Sequence, residues 1–113
     1  MTRIDRVDRA LAGRPVDRVP WSAWYHFGLQ HAPGKRFAAA ALEFYRAYRP
    51  DFLKLMHDYP YPLPAGLEEL SDPKDLARLR ALDVCADGYG EQLVAVREVV
   101  RRMKREAYVL DPL

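Results

Sequence analysis

The chain has 113 residues, half of them hydrophobic and 30% charged, which bounds it at one domain with a folded core and excludes a disordered tail. Eighteen Lys and Arg against sixteen Asp and Glu leave a formal charge of +2, too weak a field to select nucleic acid. No apolar run approaches the roughly 20 residues that cross a bilayer, and the single cysteine, Cys85, has no internal disulfide partner.

Thr2 with Asp5 three residues later has the form of a capping box, and Ile4, Val7, Ala10 and Leu11 follow at helical spacing. Gly13 and Pro15 then stop the helix. Arg3, Asp5 and Arg6 stand where a secretory signal would be apolar, so a cytoplasmic location is expected. Val19 to Phe27 is aromatic-rich, opens near Pro20 and ends at Gly28, which predicts a first strand with its proline at the edge.

Phe37 to Tyr48 carries Phe37, Ala40, Ala41, Phe44, Tyr45 and Tyr48 on one stripe and ends before Pro50, predicting a helix. Asp51 to Asp58 places Phe52, Leu53, Leu55 and Met56 in a short window, predicting a second strand buried on both faces. The prolines at 60, 62 and 64 and Gly66 make Tyr59 to Leu67 an extended loop. A short helix is expected from Asp72 to about Leu82, with Pro73 at its first position and Asp75 in its first turn. Gly88 and Gly90 mark a loop, and Gln92 to Arg105 reads as a helix with Leu93, Val96, Val99, Val100 and Met103 inward. Its basic run, Arg101, Arg102, Lys104 and Arg105, reads as a solvated face, since no aromatic residues interleave for base stacking. Tyr108 to Leu110 is the third strand.

Helices alternating with strands demand parallel pairing with right-handed crossovers. The fold expected is α/β: the N-terminal part of a (β/α)8 TIM barrel, about three parallel strands with covering helices. A whole barrel takes about 250 residues, so residues 1–113 would form an incomplete one that needs further polypeptide, or self-association, along its strand edge.

In such folds the ligand meets the carboxyl ends of the strands. Those ends carry His26, then His57 and Asp58, then Asp111. His26 and Asp58 would share a mouth lined by Trp24, Tyr25, Phe27, Tyr59 and Tyr61, an aromatic surround suited to a flat organic ligand. Asp58 is the first choice as catalytic residue, because a desolvated carboxylate accepts several N–H groups or holds a developing cation; capping the Tyr59 to Pro64 loop is its structural alternative. His57 has the opposite strand parity and should face away. No metal-ligand spacing joins His26, His31, His57 and Cys85, and no glycine-rich phosphate loop is present.

Ala10-Leu-Ala-Gly13 with Pro15-Val-Asp-Arg-Val-Pro20 resembles the opening of the uroporphyrinogen decarboxylase family. Asp51-Phe-Leu-Lys-Leu-Met-His-Asp58 with Tyr61-Pro-Leu63 is similar to its second strand and loop, and Gly88-Tyr-Gly-Glu-Gln-Leu93 with Tyr108-Val-Leu-Asp-Pro112 to its approach to strand three. The resemblance implies a cofactor-free carboxy-lyase of porphyrin biosynthesis that binds a tetrapyrrole at the barrel mouth, where a strand-two aspartate, here Asp58, takes the pyrrole N–H groups. His26, Trp24, Tyr59 and Tyr61 remain the ligand-binding neighbours expected from the convergence of the strand ends. The decarboxylases carry a Met-Arg-Gln-Ala-Gly-Arg segment after strand one, whereas this chain has Trp24-Tyr-His-Phe-Gly28, without either arginine. That departure points to the corrinoid-dependent methyltransferase branch, whose zinc ligands lie on later strands. A noncatalytic α/β interaction module is the reading from another class.

Overall fold

The computed structural model describes residues 1–85 and 88–112. Helix α1 (Arg3–Leu11) begins with the expected capping box: the Thr2 hydroxyl accepts from the Asp5 N–H at 3.1 Å while the Asp5 carboxylate accepts from the Thr2 N–H. Its buried residue is Arg6, however, and Leu11 is 82% exposed. The helix is therefore held by an ion pair more than by its apolar stripe. Helix α2 (Gly34–Tyr48) and helix α3 (Tyr89–Met103) lie against each other and against strand β1 (Phe52–Lys54), which pairs in parallel with strand β2 (Tyr108–Leu110). A 3-10 turn, Pro73–Arg78, starts on the Asp72/Asp75 capping box and stops short of Leu82.

Parallel pairing is thus present between two short strands, in the register Phe52 with Tyr108, Leu53 with Val109 and Lys54 with Leu110. The Leu55 N–H continues it by donating to the Leu110 carbonyl at 2.7 Å. The expected first strand, Val19 to Phe27, does not form. Its segment does run beside β1: the Asp51 N–H donates to the Trp21 carbonyl, and the Ser22 hydroxyl donates to the Phe52 carbonyl at 2.7 Å. Pro20 has no N–H to offer, and the Ser22 side chain occupies the carbonyl that a ladder N–H would have used. Three strands become two strands and an escort.

The core lies on one face of the sheet. Phe37, Ala38, Ala41, Leu42 and Tyr45 of α2 meet Ala95, Val99 and Met103 of α3 under Leu53 and Leu55. Gly34 marks the closest approach, since a Cβ there would stand 2.1 Å from the Glu91 carbonyl oxygen. The buried faces differ from the expected stripes: Tyr48, Leu93 and Val100 are exposed, whereas Gln92 and Ala95 are fully buried. β1 likewise alternates, with Asp51, Leu53 and Leu55 buried and Phe52, Lys54 and Met56 half-buried, so it is covered on one face and not on both.

The second face, carrying Phe52 and Lys54 beside the exposed Tyr108 and Leu110, is not packed against α2 or α3 and meets α1 where the Tyr108 hydroxyl donates to Asp8 Oδ1 at 2.7 Å. Parallel sheets are ordinarily covered on both faces. The accessible surface of 7816 Å² fits that openness, since a compact monomer of 13.1 kDa shows about 6,400 Å². Among the described residues, no helix is long and apolar enough to cross a membrane.

Candidate functional site

The two ends of β1 are built from different chemistry. At its start, the fully buried Asp51 carboxylate accepts from Arg6 Nη1 at 2.6 Å, Arg18 Nη1 at 2.5 Å, Arg18 Nη2 at 2.9 Å and the Trp21 N–H at 3.0 Å. Arg6 also grips Asp17 with two hydrogen bonds of 2.7 Å. Burial alone would raise the Asp51 carboxyl, but the bonds from Arg18, Trp21 and Arg6 outweigh it and hold the group below the ordinary carboxylate range. Hydrogen bonding to Arg6 likewise holds Asp17 low. Every Asp51 lone pair has a partner, which marks this end as a joint between α1, the Asp17–Trp21 segment and β1. A wide cleft at this end, lined by Met1, Arg3, Arg6, Arg18, Arg49 and Glu106, borders that ionic network and lies away from the strand tips.

Beyond the other end, the chain brings His26 and Asp58 together across 32 positions, with His26 Nδ1 2.5 Å from Asp58 Oδ1. The carboxylate accepts, so Nδ1 carries the hydrogen and Nε2 is turned elsewhere. The Asp58 side chain is only 9% exposed while that of His26 is 64% exposed. Asp58 Oδ2 is buried with no hydrogen-bond partner among the described residues. A desolvated acceptor without a donor costs about 1 to 3 kcal/mol.

The aromatic neighbours divide. Trp24 and Tyr25 are exposed, and Tyr25 meets Phe27 edge-on at 5.5 Å. Tyr59 is buried, its hydroxyl donating to the Ala32 carbonyl at 2.9 Å, and burial pushes its phenol above the ordinary value with help from the Glu91 and Asp58 charges. The Tyr61 hydroxyl donates to the Arg80 carbonyl. Tyr59 and Tyr61 thus anchor the proline-rich loop, and Trp24 and Tyr25 remain the exposed rings of the segment that leads to His26.

Two groups were not singled out by sequence. Lys54, at the end of β1, places Nζ 4.1 Å from the centroid of the Trp24 ring. Gln92, in the buried face of α3, donates through Nε2 to Asp111 Oδ1 at 2.8 Å and to the Met56 carbonyl at 3.4 Å. Those two acceptors set the amide orientation, and Gln92 Oε1 and Asp111 Oδ2 are both buried without a hydrogen-bond partner among the described residues. Burial raises the Asp111 carboxyl, with the Gln92 hydrogen bond and the His57 charge opposing. His57 turns toward α3, its ring 4.6 Å from that of Tyr89, whereas Asp58 turns to His26. A glutamine embedded in an apolar stripe was the available signal for Gln92; for Lys54, strand parity with Asp58 was.

Comparison of the chain with models of protein families, with curated proteins and with solved structures finds no match. No group of three or more His, Cys, Asp or Glu side chains is gathered as a metal site among the described residues. The chemistry past the end of β1 is that of a carboxylate oriented by an imidazole, with an exposed indole paired to an ammonium group on the neighbouring stretch of chain.

Proposed function

We propose that this chain belongs to a uroporphyrinogen decarboxylase-like barrel and binds a tetrapyrrole, or a related N–H-bearing macrocycle, at the carboxyl ends of its strands. The observation that carries the reading is Asp58: nine-tenths buried, fixed by His26 through Oδ1, with Oδ2 buried and lacking a donor among the described residues. A pyrrole N–H is such a donor, and a desolvated carboxylate stabilises the positive charge that a pyrrole ring gains on protonation before decarboxylation. His26 then acts as the positioning residue, holding the carboxylate plane. The parallel pairing and the sheet face that α2 and α3 leave open support a larger barrel that supplies the remaining wall.

The corrinoid-dependent methyltransferase branch is the second reading, favoured by Trp24-Tyr-His-Phe-Gly28 standing where the decarboxylases carry arginines. Its zinc and corrinoid would be held by residues other than these.

Titration of the 113-residue chain with uroporphyrinogen, kept reduced under anaerobic conditions and followed by tryptophan fluorescence, tests the proposal. Asp58→Asn keeps the shape and removes the charge. It is expected to weaken binding about tenfold or more while leaving the circular dichroism unchanged, since hydrogen bonds to charged groups are worth about 1.5 to 3 kcal/mol. Equal affinity in the two proteins overturns the assignment of Asp58.

A further inference from the structure

We infer that the cavity between the C-terminal ends of α2 and α3 and the start of α1 is an anion site for a small phosphate monoester, with the Tyr45 hydroxyl, Arg46 and Arg49 as its donors. It lies where α2 leads into the start of β1, at the other end of the strand from Asp58, and is independent of the reading given to that residue.

Position comes first. The cavity has a volume of about 270 Å³, and Arg3, Tyr45, Arg46, Arg49, Arg102 and Glu106 line it. Drug-sized ligands take about 300 Å³ or more, so the space suits a compact anion. Asp51 and its partners Arg6 and Arg18 are not among its walls. Tyr45 is 4% exposed, yet its hydroxyl has no hydrogen-bond partner among the described residues, and a buried donor left in that state calls for an acceptor. Burial raises the phenol above its ordinary value against the opposing Arg3 charge, so the hydroxyl is a donor at neutral pH. Glu106 raises it further but makes no hydrogen bond of ordinary geometry with it; the Glu106 carboxylate is taken by Arg3 at 2.7 Å.

Charge comes second. Arg3 pairs with Glu106 and Arg102 with Glu98, but no carboxylate meets Arg46 or Arg49 among the described residues. Basic residues at a helix C-terminus also complement its dipole, and the ends of α2 and α3 carry about half a negative charge each. Two uncommitted guanidinium groups exceed those two ends by about one positive charge, which is left for an anion. The backbone adds to this. Helices α2 and α3 end on Arg49 and Lys104, with φ of 52° and 47°, and Arg105 follows at 63°. Glycine takes such positions at less cost, and strain of this kind collects at ligand clamps. A carboxylate is served in one plane by a single guanidinium fork. The three terminal oxygens of a phosphate monoester instead accept from donors on successive positions of a helix end, here Tyr45, Arg46 and Arg49.

Glycerol phosphate tests this, with glycerol and with potassium chloride of equal ionic strength as controls. Binding to the 113-residue chain is followed by the rise in thermal unfolding midpoint and by the ring resonances of Tyr45. Glycerol phosphate is expected to raise the midpoint and shift those resonances, and the controls to do neither. Tyr45→Phe keeps the buried ring and should weaken binding about tenfold. Arg46→Gln, at an exposed position that the core does not need, should weaken it comparably, whereas Arg97→Gln, exposed on α3 outside the cavity, should leave it unchanged. Arg49→Gly separates strain from binding: the ligand-free chain should unfold at a higher temperature as the left-handed turn relaxes, while affinity for glycerol phosphate falls. A midpoint rise that potassium chloride reproduces overturns the inference. So does parental affinity in Arg46→Gln or Arg49→Gly, or in a Tyr45→Phe chain whose circular dichroism is unchanged.

Discussion

At the start of β1 the Asp51 carboxylate meets two guanidinium groups and a backbone N–H, whereas past the other end of the sheet Asp58 and Asp111 each hold one partner and leave one oxygen without a partner among the described residues. All three side chains are withdrawn from water to a large degree, so the contrast lies in satisfaction and not in burial. Saturated ionic groups give a rigid joint and have no capacity left for a ligand. Under-satisfied groups are a cost to the folded chain, and such costs collect where something else is meant to bind. The same division runs through parallel barrels, in which one end of the strands serves stability and the other serves chemistry.

The largest expected effect comes from breaking the satisfied end. Asp51→Ala leaves Arg6 buried and removes the anchor of Arg18; it should destabilise the chain by about 3 kcal/mol, the lower end of the range for a broken buried pair because Arg18 and Asp17 remain partly in water. Urea unfolding of the two proteins measures it, and a loss below about 1 kcal/mol would show the network to be decorative.

A smaller effect should appear in the pH dependence, with opposite signs at the two ends. Asp51 is depressed in the folded chain, so its contribution is whole above the unfolded value of 3.8 and is lost as pH falls through the lower folded value. Asp111 is raised, so it opposes folding once pH climbs above 3.8 and through its folded value. Stability followed from pH 2 to pH 7 should therefore rise steeply at first and then sag. Asp51→Ala should reduce the rise, leaving the part due to Asp17 and Glu98, and Asp111→Asn should remove the sag.

The smallest effect is that of Asp111→Asn at neutral pH. The amide keeps an acceptor for Gln92 and drops an uncompensated charge, so stability should hold or increase by less than about 1 kcal/mol. A clear loss in thermal unfolding would mean that the Asp111 carboxylate already has a partner in the folded chain, and the contrast between the two ends would fail.

Much of the local structure was legible before any coordinates. Thr2 with Asp5, Asp72 with Asp75, and Pro50 after Tyr48 are signals that act within one helical turn, and each element begins or ends where they stand. The His26–Asp58 meeting was legible too, through the convention that parallel strands present their carboxyl ends together. What went unread is Lys54 against Trp24 and the Arg6–Asp51–Arg18 joint, because charged residues at amphipathic positions are usually solvated and nothing local distinguishes these.

The amino-acid order by itself determined the two capping boxes, the end of α2 and the parallel sense of the two strands, since all three depend on backbone dihedrals, hydrogen bonds to neighbours three or four residues away and the length of the crossover. Helices α2 and α3, by contrast, each begin three residues earlier than their apolar stripes indicate, at Gly34 and Tyr89. Only the tertiary structure decided that α3 turns Gln92 and Ala95 inward while Leu93 and Val100 face out, that the Val19 to Phe27 stretch accompanies β1 without joining its ladder, and that Asp51 is saturated while Asp58 is not. Those outcomes depend on which faces meet across separations of 30 positions and more, where helical period permits several packings and one set of partners selects among them.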